Sequence, residues 1–287
     1  MPNIYFPYLN LSFNIDPIAF TVFGIPIYWY GIILTSGILL GLCMSMYISK
    51  KEGVSTDLIF DFLLYDIVFA IIGARTYFVI FNWSYYKEHL SEIFNLRQGG
   101  IAIYGAIIAS FIVAILYTRI KKISLWQFGD IAAYGLLVGQ AIGRYGNFVN
   151  KEAFGDYTNN FLAMQIMKSE AATHVTQKML DNIVIREGVE FIQVHPTFLY
   201  ESCWNLLLLI SLLIYRRYKK GNGEIFFLYI AGYGLGRFWI EGLRTDQLVV
   251  PVINIAASQI VAVLSIVAGI IGVIWCRKSS KSKFKKL

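Results

Sequence analysis

An all-α integral membrane protein of about seven transmembrane helices is what this sequence predicts, on three observations. Of the 287 residues, 57% are hydrophobic and only 15% charged, with a mean hydropathy of +0.58. A soluble domain carries about a quarter charged residues. Several stretches run about twenty residues with few charges, the length that crosses a bilayer core. The basic residues, finally, crowd into alternate connections between those stretches, as the positive-inside rule requires.

Seven spans follow in order, roughly 20–48, 58–81, 100–117, 125–142, 198–215, 224–243 and 252–275. The first is long and begins with an interfacial turn at Gly24-Ile25-Pro26, beside Tyr28-Trp29-Tyr30, a sequence suited to an aromatic belt. The second holds Asp61, Asp66 and Arg75, and the fourth Asp130. Gly37 and Gly41, Gly135, Gly139 and Gly143, and Gly232 and Gly236 recur four apart, the spacing of closely packed membrane helices. The fifth opens on His195-Pro196-Thr197, with proline at a helix start. Between the fourth and fifth lies the one sizeable non-membrane segment, 156–195, a small cap of mixed composition with a helix-like run near 168–181. The Lys/Ser-rich tail 277–287 is expected to lack fixed structure, and 1–287 forms a single polytopic domain.

One set of connections holds Lys50 and Lys51, then Arg119 to Lys122, Arg216 to Lys220, and the tail from Arg277: fifteen basic residues in short loops. The other set, longer in total, holds eight. This places the N-terminus outside and the C-terminus in the cytoplasm. The net charge of +7 is therefore topological, with some attraction to anionic membrane lipids, and no nucleic acid is implied. Cys43, Cys203 and Cys276 are odd in number and lack ligand spacing, so neither a disulfide framework nor a zinc site is expected. The first seventeen residues, without Lys or Arg and without a continuous apolar core, are not read as a signal peptide.

Charges within spans cost about 2.5–3.5 kcal/mol each on insertion scales, so they must pair, face the bundle interior or line a wet cavity. Asp61 and Asp130 read equally well as structural ion pairs. Arg237 and Glu241, four apart, share a helix face. The richest segment is 143–155, Gly-Arg-Tyr-Gly-Asn-Phe-Val-Asn-Lys-Glu-Ala-Phe-Gly, where Arg144, Asn147 and Asn150 recur every third residue. Gly143-Arg144, Gly236-Arg237 and the looser Gly73-Ala74-Arg75 each put bare backbone beside a guanidinium. That group matches phosphate oxygens in bidentate geometry, so the pattern points to a pocket for a phospholipid head.

These residues together resemble the prolipoprotein diacylglyceryl transferase family, over essentially the whole chain. The 143–155 segment matches that family's signature, Gly-Arg-x-Gly-Asn-Phe-x-Asn-x-Glu-x-x-Gly, at every fixed position. Trp29-Tyr30-Gly31, Gly73-x-Arg75, His195-Pro196 with Leu199-Tyr200-Glu201, and Gly236-Arg237 with Glu241, Arg244 and Asp246 are similar to its other hallmarks. The resemblance implies a multi-pass protein of the bacterial cytoplasmic membrane, its site towards the outer face under the cap. It implies transfer of the diacylglyceryl group of phosphatidylglycerol to the lipobox cysteine of a prolipoprotein signal peptide. A thioether forms and glycerol phosphate leaves, with no metal or soluble cofactor. On this reading Arg144 and Arg237 meet the phosphate, Asn147 bonds the head, Glu152 and Glu241 orient the arginines, and Tyr30 lines the site. Asn150, Gly155, Arg75, His195 and Arg244 complete the substrate-binding set.

The chain departs from the family at 99–105, Gly-Gly-Ile-Ala-Ile-Tyr-Gly, where Tyr104 stands in place of the customary histidine. A phenol is a poor base at neutral pH unless a neighbouring cation assists it. Tyr104 is thus a base candidate or a positioning hydroxyl, and the thiol proton goes there, to a carboxylate, to His195 or to water. A transporter of phospholipid or small anions is the alternative reading of the buried arginines. It lacks the paired broken-helix signals such folds carry.

Overall fold

The computed structural model describes residues 1–95, 99–250 and 255–284. It is mostly helical. In chain order the helices are α1 (Trp29–Lys51), α2 (Thr56–Phe81), α3 (Trp83–Tyr86), α4 (Ile103–Ile120), α5 (Leu125–Val149), α6 (Gln177–Leu180), α7 (Thr197–Tyr215), α8 (Glu224–Glu241) and α9 (Ala257–Phe284). Four of them, α1, α4, α7 with its 3-10 extension, and α9, are long and apolar enough to cross a membrane. The other long helices, α2, α5 and α8, have 26, 25 and 18 residues and carry Arg75, Arg144 and Arg237 with several carboxylates.

The chain divides into two compact units, Ser45–Ile131 and Met1–Met44 with Ala132–Leu287. In the first, α2 and α4 pack face to face. Ser55 caps α2 by accepting the Asp57 amide proton at 3.2 Å, which satisfies an otherwise orphaned donor of the first turn. Tyr117 of α4 donates its hydroxyl to the Leu58 carbonyl at 2.8 Å.

The second unit combines α7, α8 and α9 with the ends of α1 and α5 and a β-sheet. The four-residue glycine spacing performs the expected close packing: a Cβ on Gly41 would lie 2.6 Å from the Gly135 carbonyl oxygen. The sheet is a departure from the all-α expectation. Strands β1 (Ile4–Phe6), β2 (Leu11–Phe13), β5 (Met164–Met167), β6 (Val184–Arg186) and β7 (Val189–Val194) order as β2-β1-β5-β7-β6, antiparallel throughout. The cap is therefore a sheet completed by the first thirteen residues. Within the helix-like run at 168–181 only a 3-10 turn (Lys168–Glu170) and one turn of α6 are helical. Strands of three to six residues have too short a period to stand out in a sequence of mixed composition.

Two further boundaries move. Residues 20–28 are not helical: β3 (Ile18–Val22) and β4 (Ile25–Tyr28) form a hairpin whose two-residue turn, Phe23-Gly24, has φ of 49° and 80°. Positive φ at both central residues is what tight hairpins demand, and it shifts the turn one residue ahead of the expected site. The α9 helix continues through Phe284, so the tail is helical to that point, while the expected start of the last span at 252 lies outside the described residues.

The sheet's core places the site. Ile4, Phe6, Met164, Ile166, Ile192 and Val194 pack with Phe154 and Phe198, and Phe148 stacks on Phe198 at 4.6 Å between ring centres. Phe148 follows Asn147 on α5, and Phe198 precedes Glu201 by one turn of α7. Burying these rings, at about 25 cal/mol per Å² of apolar surface, ties the sheet to the helix ends that carry polar side chains.

Candidate active site

Because α5 runs to Val149, Arg144 and Asn147 sit one turn apart on one helix face. Glu201 enters from α7, and Arg237 and Glu241 from α8. Arg244 follows in the turn after α8, where its amide donates to the Glu241 carbonyl at 3.1 Å.

Glu201 is the centre of this arrangement. Its Oε2 lies 2.8 Å from Arg144 Nε and its Oε1 3.0 Å from Arg237 Nη1, with Arg244 Nη1 at 3.9 Å. Glu241 Oε2 makes a 2.6 Å ion pair with Arg237 Nη2, although the N–H does not aim at it closely enough for a hydrogen bond. Arg244 holds Asp246 in a fork, Nε to Oδ1 at 2.8 Å and Nη2 to Oδ2 at 2.6 Å. Burial opposes the charge on both groups. The mutual hydrogen bonds and attraction outweigh it, raising Arg244 above the ordinary guanidinium value and holding the Asp246 carboxyl below the carboxylate range.

Three guanidinium groups thus meet three carboxylates. Exposure decides which of them a ligand can reach. The side chains of Glu201 and Glu241 are 6% and 5% exposed, those of Arg144 and Arg237 22% and 20%. Glu201 and Glu241 thus lie behind Arg144 and Arg237, whereas in the third pair the order is reversed, Arg244 being 12% and Asp246 31% exposed. Among the described residues neither Arg144 Nη2 nor Arg237 Nε has a partner. These open donors on two fixed cations can receive an anionic oxygen.

The two carboxylates expected beside the arginines differ in their contacts. Glu241 pairs directly with Arg237. The Oε1 of Glu152 instead accepts from Asn147 Nδ2 at 2.9 Å and from Asn150 Nδ2 at 3.4 Å. It reaches Arg144 only through Asn147, whose Oδ1 accepts from Arg144 Nη1 at 3.4 Å. The reason is reach. The helix ends before Glu152, whose amide turns back onto the Asn147 carbonyl at 3.0 Å, and this brings the side chain beside the amides.

Gly155 bridges to Arg244 in antiparallel fashion and donates its amide to the His195 carbonyl at 3.0 Å. Any Cβ there would stand 2.8 Å from both His195 Cβ and the Leu243 carbonyl oxygen, so only glycine lets the three segments meet. His195 Nδ1 lies 3.2 Å from the Tyr200 hydroxyl, which also accepts from Asn160 Nδ2 at 2.9 Å. Burial, aided by Lys178, pushes the imidazole below its ordinary value, against a smaller opposite pull from Asp156.

Tyr30 lies over Gly146, where a Cβ would be 2.7 Å from its ring. With Tyr28, Ile32, Thr35, Ser36 and Asn150 it lines an open groove of about 740 Å³. Arg75 and Tyr104 belong to the other compact unit. Tyr104 is 46% exposed in the first turn of α4, and Arg75 is buried among backbone carbonyls. Among the described residues no three His, Cys, Asp or Glu side chains gather as a metal would need.

Sequence reasoning underrated Glu201 and left Asn160 unnoticed. The signal for Glu201 was available, since an ionisable residue one turn inside an apolar helix needs a partner.

Known proteins resemble this chain over nearly its whole length. The family model described as prolipoprotein diacylglyceryl transferase matches residues 17–275. The phosphatidylglycerol–prolipoprotein diacylglyceryl transferase of Lysinibacillus sphaericus is 41% identical over 277 residues, 96% of this chain and 98% of its own length. Proteins of the same name from Bacillus cereus and Clostridioides difficile are 41% identical over 270 residues and 38% over 271; each alignment covers 94% of this chain and 95% and 99% of the relatives. The chain belongs to the prolipoprotein diacylglyceryl transferase family.

Proposed function

We propose that this protein transfers the diacylglyceryl group of phosphatidylglycerol to the lipobox cysteine of a prolipoprotein, and that the ring around Glu201 is where the phosphate is held. The observation that carries the reading is the sidedness of the Arg144 and Arg237 half of that ring: buried Glu201 and Glu241 behind, the partly exposed arginines in front, with donors left open. The cysteine sulfur attacks the glyceryl carbon that bears the phosphate. A C–S bond forms, the C–O bond to phosphate breaks, and glycerol phosphate departs with the bond's electron pair.

Charge grows on the departing phosphate, so fixed cations aimed at it lower the barrier. Arg144 and Arg237 supply them without reorganising, because Glu201 already fixes both. Asn147, held by Glu152, is placed to bond a headgroup oxygen. The groove beside Tyr30 and Asn150 offers a path for the lipid next to the ring. Gly155 and His195 brace Arg244. The thiol proton is matched by one gained by the leaving phosphate, carried through Tyr104, His195, a carboxylate or water. We further propose seven spans, counting the charged helices α2, α5 and α8, with the N-terminus and the sheet outside and the C-terminus in the cytoplasm. The fifteen basic residues of the inner connections support that orientation.

The test uses purified full-length protein in micelles with phosphatidylglycerol and a lipobox peptide. Mass spectrometry should find thioether-linked diacylglycerol on the cysteine. Arg144→Ala and Arg237→Ala should each lower the rate by roughly 10²–10³-fold, the usual effect of removing one donor to a developing anion. Folded variants that transfer lipid at the parental rate would remove the assignment.

A further inference from the structure

In the sequence Gly73-Ala74-Arg75 looks like the other two glycine–arginine pairs, yet its surroundings give it a different task. The guanidinium has five N–H donors. Nε donates to the Ile93 carbonyl at 2.7 Å, Nη1 to Gly99 and Gly100 at 2.9 and 2.8 Å, and Nη2 to Glu92 and Asn95 at 2.6 and 3.2 Å. Every donor is engaged. The Tyr86 ring lies 5.2 Å from its Cζ and the Phe78 ring 6.0 Å. The residue is 8% exposed. A phosphate could bind only by displacing these carbonyls and giving up five charge-assisted hydrogen bonds, a costly exchange.

What Arg75 holds is the chain leading into α4. Its carbonyl partners flank residues 96–98, which lie outside the described residues, on both sides. From Gly99 and Gly100, at φ of 81° and 77°, the backbone reaches Ala102, whose amide donates to the Ala74 carbonyl at 3.1 Å. The helix then begins, with Tyr104 in its first turn and Gly105 seated against Gly73. Gly73, Ala74 and Arg75 therefore grip the start of α4 by close contact, by a backbone bond and by the two side-chain bonds to Gly99 and Gly100, while three more anchor Arg75 to Glu92, Ile93 and Asn95.

We propose that Arg75 is a positioning residue that fixes the backbone presenting Tyr104, and that it does not bind phosphate. This rests on the reading that Tyr104 takes part in the transfer. Lysine keeps the charge but offers three donors from a point, so it cannot span carbonyls on both flanks.

In Arg75→Lys the turnover number should fall about tenfold or more, because each hydrogen bond from a charged donor is an equilibrium factor of about that size. The KM for phosphatidylglycerol should stay within about twofold. Amide hydrogen exchange over residues 99–106 should speed up about tenfold, and more mildly in Tyr86→Leu, which uncovers the guanidinium and serves if the lysine variant does not fold. In a Tyr104→Phe background Arg75→Lys should slow transfer little further, since both act through one group. A tenfold rise in KM with exchange unchanged would make Arg75 a phosphate ligand and overturn the proposal. If Tyr104→Phe itself transfers at the parental rate, the role of Tyr104 falls, and the exchange measurement alone still decides whether Arg75 is the clamp.

Discussion

Replacing Glu201 with glutamine tests the centre of the site most directly. The substitution keeps size and shape but removes the charge that Arg144 and Arg237 share, and it turns an amide N–H towards one guanidinium. Breaking a buried ion pair by removing one partner costs about 3–5 kcal/mol. Here the arginines are about one-fifth exposed, and each keeps a second partner, Asn147 for Arg144 and Glu241 for Arg237. Water and those partners recover part of the loss, so about 2–3 kcal/mol is expected, or roughly 30- to 150-fold in rate at about 1.4 kcal/mol per tenfold. The split between kinetic constants is the sharper part. With three guanidiniums then facing two carboxylates, the ring's pull on an anionic phosphate is not weakened. The KM for phosphatidylglycerol should hold or fall while the turnover number drops, because orientation in the transition state is lost. Steady-state transfer to a lipobox peptide at several lipid mole fractions, on protein checked by thermal melting, measures both. A Gln variant within about threefold of the parental turnover number, beside inactive Arg144→Ala and Arg237→Ala, would show that Glu201 orients neither arginine to any purpose.

Three further outcomes follow from the same geometry. Gly155→Ala should destabilise by about 1–3 kcal/mol and lower transfer, since the new methyl collides with His195 and the Leu243 carbonyl; melting temperature and rate measured together test it. Burial depresses the His195 pKa, so below about pH 6.5 the unfolded chain takes up the proton more readily than the native one, and stability falls with pH through that window. His195→Gln should flatten that slope in melts at pH 7.5 and about 5.5. Comparing Tyr104→Phe with Tyr104→His separates a working hydroxyl from a bystander: a slowed Phe variant with an active His variant is the expected pair, and full activity in Phe removes the hydroxyl role.

Where the sequence was legible, a long-range physical demand acted on a contiguous stretch. Apolar runs marked α1, α4, α7 and α9, and four-residue glycine spacing marked the α1–α5 contact at Gly41 and Gly135. The segment 143–155 announced a polar site because its residue types are expensive beside a membrane. Where legibility failed, the determining partner was distant. Strand Ile4–Phe6 has no meaning until Met164–Met167 lies beside it, and pairing across that separation leaves little local trace. Glu201, in an apolar helix, reads as an isolated anomaly until Arg144 and Arg237 arrive from two other helices.

The three glycine–arginine pairs make the limit concrete. Residue type predicts the same chemistry for Arg75, Arg144 and Arg237, since all are cations held close to bare backbone. What separates them is how many N–H donors their neighbours leave over. For Arg75 carbonyls 17 to 25 residues along the chain take all five. Arg144 and Arg237 form ion pairs with one carboxylate, and each keeps a donor without a partner among the described residues. A saturated guanidinium organises backbone, whereas a partly satisfied one, braced from behind by a buried anion, stays available to a substrate. Buried arginines therefore do not count as phosphate ligands by number. On the proposed function, the capacity for phosphate rests on the donors that Glu201, Glu241 and Asn147 leave open.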